Sequence, residues 1–74
     1  MSRHPVADTE SYTLLDETNA AHGHVAFVSF GPVNRFGYRG CGVFSCTPAE
    51  VQANVDALKR GGVKVYRKRT GVEV

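Results

Sequence analysis

The sequence contains no apolar run approaching the roughly 18 residues needed to cross a bilayer, which excludes a membrane-spanning helix. The opening stretch MSRHPVADTESYT has no apolar core of the signal-peptide kind, so a cytoplasmic location is expected. There are only two cysteines, Cys41 and Cys46, and no CxxC spacing. On a single strand those two have opposite parity and point to opposite faces, too far apart for a disulfide. A cytosolic chain would keep both reduced in any case. No internal repeat or low-complexity segment is found. Basic residues are nearly absent from the first half. Up to Asn34 only Arg3 is basic, against Asp8, Glu10, Asp16 and Glu17. From Arg35 onward eight basic residues face Glu50, Asp56 and Glu73. This asymmetry points either to an acidic partner, nucleic acid or protein, or to attraction between the two halves across the fold.

What is present is one small folding unit. The 74 residues are 42% hydrophobic, too apolar for disorder. A chain this short buries only about 60% of its unfolded surface, so it builds one modest core. The first eight residues read as a flexible lead-in, and residues 9–74 as a single α+β domain.

The clearest local signal is TPAEVQANVDALKRGG. Thr47 and Glu50 form a capping box around Pro48, whose missing N–H costs nothing at a helix start. Val51, Val55 and Leu58 recur at helical spacing and make an apolar stripe. Lys59 and Arg60 suit the negative end of the helix dipole, and Gly61-Gly62 supplies the stop. A basic strand follows directly. Val63 and Val65 are expected to face the core, Lys64, Tyr66 and Lys68 the other face, and Arg67 and Arg69 the core side beyond the helix. Its charge suits a sheet edge.

Three further strands are predicted: Glu10–Leu15, with Tyr12 and Leu14 on one face; His24–Phe30; and Tyr38–Cys46, loosened by Gly40 and Gly42. Asp16–Asn19 reads as a turn, or as a helix start. With Asn34 near the centre of the loop GPVNRFG, Phe30 faces Tyr38, Ala26 faces Gly42 and His24 faces Phe44. Val28, Phe30 and Phe44 then share one face, and Val25, Phe27 and Val43 the other. Tight turns on both sides of the helix make the third and fourth strands parallel. The expected architecture is α+β: a two-layer sandwich with a four-stranded mixed sheet and one helix packed on one face, in the order β-β-β-α-β.

Catalytic chemistry finds little support. His22, His24 and Cys46 with a fourth ligand could hold zinc, but the usual paired-cysteine spacing is missing and Cys41 points away. A nucleophilic cysteine paired with His22 or His24 would need an orienting group such as Asp16 or Glu17, and an oxyanion site. The glycine-rich GPVNRFGYRGCG matches neither a dinucleotide fingerprint nor a phosphate loop. No metal or other cofactor is expected. The most suggestive set mixes cations with aromatics: Arg35, Phe36, Tyr38 and Arg39 in and after the loop, and Lys64, Tyr66, Arg67, Lys68 and Arg69 on the last strand. Such residues hold phosphates and stack bases, and they equally make protein-binding hot spots.

No family motif is found. In its small size and lack of catalytic motifs the chain resembles the stand-alone proteins of phages and mobile elements, among them anti-CRISPR inhibitors. That resemblance implies a non-enzymatic monomer or homodimer that docks on and inhibits a larger protein or nucleoprotein complex. The alternatives are a nucleic-acid-binding regulator and a small zinc- or cysteine-dependent enzyme.

Overall fold

The computed structural model describes residues 6–74. The elements are β1 (Tyr12–Asp16), β2 (Val25–Val33), β3 (Arg39–Cys46), α1 (Val51–Arg60) and β4 (Lys64–Arg67), with short 3-10 turns at Ala20–His22 and Pro48–Glu50. They form an α+β fold whose four-stranded mixed sheet runs in the order β3-β2-β1-β4. Of the expected lead-in, residues 1–5 lie outside the described residues. Ala7 and Asp8 are tied to the sheet, since the Asp8 carbonyl accepts from the Val33 amide at 2.7 Å.

The helix ends as its residues dictate. The Glu50 carboxylate accepts from the Thr47 amide at 3.0 Å and from its hydroxyl at 2.9 Å, which closes the capping box. These two bonds, the amide's first, hold the Glu50 carboxyl below its ordinary pKa. At the other end the left-handed residue is Gly62 (φ +81°), while Gly61 stays at negative φ. Val63 N–H donates to the Leu58 carbonyl and Gly62 N–H to that of Lys59, the pattern of a Schellman cap.

The helix packs through Val55 onto Leu15, Val25, Phe27 and Val65, with Val51, Leu58, Cys46 and Val74 around the margin. Thr13 is fully buried on this face, and its hydroxyl shares a 3.1 Å hydrogen bond with that of Ser29. Burying two hydroxyls together avoids the penalty of leaving either unpaired.

β3 and β4 run in the same direction, as the tight helix connections require, but they occupy opposite edges of the sheet. The connection through α1 therefore crosses two strands, and β4 pairs in parallel with β1. Charge explains the choice of neighbour. β1 is flanked by Glu10 at one end and by Asp16 and Glu17 at the other, and β4 brings Lys64, Arg67 and Lys68 to those carboxylates.

One expectation is corrected. The hairpin register is Phe27↔Phe44, Val28↔Val43 and Phe30↔Cys41, three residues away from the expected one. An odd shift swaps faces, so Phe44 lies with Val25 and Phe27, stacked on Phe27 at 4.9 Å, and Val43 lies with Val28 and Phe30. The cause is that β2 continues through Gly31-Pro32 to Val33, with a bulge between Phe30 and Val33. A bulge is where a central strand accommodates a proline. β4 takes the edge position expected for it, and its outer side is partly covered. The chain turns at Thr70-Gly71 and returns along it, with a Tyr66↔Glu73 bridge and Val74 N–H donating to the Val65 carbonyl at 2.8 Å.

Candidate functional site

The residues singled out from the sequence are split between the two ends of the sheet, with Lys64 at the same end as the β2–β3 turn. Tyr12 pairs with both Phe30 and Lys64, whereas Leu15 pairs with Arg67. The β2–β3 turn thus projects from the Tyr12 end, and Arg67, Lys68 and Arg69 lie at the other. The turn set and the last-strand set also sit on opposite edge strands, about 14 Å apart across the sheet.

At the basic end most charge is already matched. Arg67 pairs with Glu17, and Lys68 Nζ lies 3.4 Å from Asp16. The Thr18 hydroxyl and amide hold the Asp16 carboxyl below its ordinary pKa, and the Lys68 ammonium adds to the effect. Arg69 is exposed in the turn that follows. A shallow cleft here is lined by two carboxylates and three cations, so it offers an anion little net charge. At the other end Lys64 lies 3.7 Å from Glu10. These ion pairs join the acidic half of the chain to the basic half through three basic residues of the second half.

Tyr66 is not a surface residue. It lies on the face expected for it but is only 2% exposed, with its ring edge-on to Tyr12 at 6.4 Å. Strand alternation tells which face a side chain takes, not what covers it. Arg39 is also drawn inward. One terminal nitrogen donates to the Glu10 and Gly31 carbonyls (2.6 and 2.8 Å) and the other to that of Ala7 at 3.0 Å. Its guanidinium lies 5.3 Å over the Tyr12 ring, which itself stacks on Phe30. The fork geometry of arginine makes it a clasp between the hairpin and the segment before β1.

The hairpin tip keeps its side chains in solvent. Phe36 is 69% and Tyr38 72% exposed. The Arg35 guanidinium lies 5.0 Å over the Phe36 ring. The turn beneath them is locked. Asn34 Oδ1 accepts from the amides of Phe36 (2.9 Å) and Tyr38 (3.1 Å), its own amide donates to the Tyr38 carbonyl at 2.8 Å, and Gly37 takes φ +85°. Asparagine and glycine at these two places are the turn chemistry that bonds the backbone locally and permits a left-handed residue.

Cys41 and Cys46 are both free thiols, one on each face of β3. Among the described residues no group of three or more His, Cys, Asp or Glu side chains is placed to hold a metal ion. Nor is any helix among them long and apolar enough to cross a membrane. The C-terminal return to β4 is the main feature that sequence reasoning missed. Its signal was the alternation Val72-Glu73-Val74 after Gly71.

Comparison of the chain with family models, with curated proteins and with solved structures returned no match in any of the three.

Proposed function

We propose that this chain is a small non-enzymatic binding protein that docks its β2–β3 hairpin tip on a larger protein or nucleoprotein complex and obstructs it. The observation that carries this reading is the pairing of two large aromatic side chains, 69% and 72% exposed, with a turn held rigid by Asn34 and Gly37. Aromatic and arginine anchors dominate the energetics of protein interfaces. A pre-ordered turn also lowers the entropy lost on docking. Phe36 and Tyr38 would enter apolar pockets of the partner, and Arg35 would meet an acidic rim. The two free thiols suit a reducing compartment, which favours the cytoplasm.

The nucleic-acid reading gains less support. Three of its expected phosphate contacts, Lys64, Arg67 and Lys68, each have a carboxylate neighbour.

The test is affinity capture with three proteins whose fold circular dichroism confirms: wild type, Phe36→Ala/Tyr38→Ala, and a charge variant with Lys64, Arg67, Lys68 and Arg69 replaced by glutamine. The expected outcome is a complex held by the wild type and the charge variant and lost with the tip variant, with no binding of protein-free nucleic acid. Capture that survives the tip variant, or that protein-free nucleic acid alone reproduces, would contradict the proposal.

A further inference from the structure

The sheet protects its two edges unequally. Beyond β4 the chain folds back and pairs residues 72–74 with it. Beyond β3, among the described residues, no strand follows. Residues 40–45 of β3 are all exposed, Val43 at 67% and Phe44 at 41%. From Gly40 to Cys46 the strand reads GCGVFSC, with no charge and no proline. Those are the devices that usually keep an edge from pairing with another chain.

We infer that β3 pairs with β3 of a second copy of this chain, antiparallel and centred on Val43, joining two sheets into one of eight strands. This rests on the strand edge alone and is independent of the function proposed for the hairpin tip. The occupant is argued from the strand's own shape. A two-fold axis at Val43 places Val43 opposite its copy, Cys41 opposite Ser45, and Gly42 opposite Phe44. A side chain added at Gly42 would meet nothing within 4 Å, so the space above it is open. That space continues into an apolar groove whose far wall is Leu58 and Val63 and whose floor includes Thr13 and Ser29. Phe44 lies on the same face of the sheet as Gly42. Each copy therefore supplies an aromatic ring to cover the other's glycine, the cross-strand arrangement that offsets glycine's poor fit in a sheet.

An axis at Gly42 would instead oppose glycine to glycine and set Arg39 against Ser45. The Val43 axis opposes no charge to any other across residues 40–46, so the positive net charge of the chain is kept away from the joint. Because the axis is perpendicular to the sheet, both helices stay on one face. The two hairpin tips then project from opposite ends, roughly 45 Å apart at strand rise, and neither is covered.

The experiment is sedimentation equilibrium of the full chain from low to high concentration. The wild type is expected to form a dimer that dissociates on dilution. Val43→Lys, which sets two ammonium groups against each other at the axis, is expected to raise the dissociation constant by about an order of magnitude or more, while circular dichroism and the melting temperature confirm the fold. Val43→Thr keeps the dimer. Val43→Cys in a Cys41→Ser/Cys46→Ser background is expected to give a disulfide-linked dimer in air, two thiols passing two electrons and two protons to dioxygen, which fixes the axis. A wild type that stays monomeric at high concentration would overturn the inference, even if it bound a foreign strand. So would a dimer that survives Val43→Lys, or a Val43→Cys variant that fails to cross-link.

Discussion

Arg39 illustrates how far a residue's type falls short of its role. As a cation beside aromatics it reads as a contact residue, yet it donates to three backbone carbonyls and lies over Tyr12. Its neighbours Arg35, Phe36 and Tyr38 have the same character in the sequence and remain in solvent. The difference lies in position. Arg39 belongs to the strand and faces the segment before β1, while the others belong to the turn. Arg39→Ala should cost about 1–3 kcal/mol, because two half-buried carbonyls and an exposed one lose a charged donor. Arg39→Lys should recover only part of that, since an ammonium cannot reproduce the fork. Denaturant titration of the three proteins measures both. An alanine variant as stable as wild type would show the clasp to be incidental. Tyr66 teaches the same lesson from the other side. Its strand position was legible, but its burial depends on what lies over it, and a local pattern holds no such information.

Among the elements, α1 was the most legible because its signals are local: a capping box, a 3.6-residue stripe and a double-glycine stop. The hairpin was less so. Gly31-Pro32 has the composition of a loop, and only a bulge in a central strand reconciles it with pairing on both sides. Moving the turn moved the register by three residues and exchanged the faces of Val43 and Phe44. The neighbour of β4 was not legible either, although its edge position was. Tight connections set its direction, but its neighbour depends on contacts between residues far apart in sequence. The acidic and basic halves hinted at that pairing without specifying it. The turn itself gives a sharp test. Gly37 has φ +85°, whereas Gly40 has no positive φ and open space where a Cβ would go. Gly37→Ala should destabilise by about 1 kcal/mol through left-handed strain. Gly40→Ala should be neutral or slightly stabilising, because it restricts the unfolded chain. Equal effects in thermal or denaturant unfolding would show that the turn does not depend on its glycine. If the tip acts as a pre-ordered anchor, Gly37→Ala should also weaken capture while leaving every contact side chain in place.

At the scale of the whole molecule, three ion pairs tie the acidic half of the chain to the basic half, and the aromatic turn is an exposed feature held by its own hydrogen bonds. The architecture could be read from the order of elements, since one helix between tight turns and four strands has few ways to close a core. The surface could not, because residues grouped together by composition are split between the two ends of the sheet. On the proposed function the exposed tip, rather than the basic strand, recognises the partner. A nucleic-acid titration at low and moderate salt separates the two, with wild type beside a variant in which Lys64, Arg67, Lys68 and Arg69 are replaced by glutamine. Weak binding at most is expected at low salt, without a steep log-linear salt dependence. Tight, salt-sensitive binding that the glutamine variant loses would make the basic strand the site and overturn the proposal.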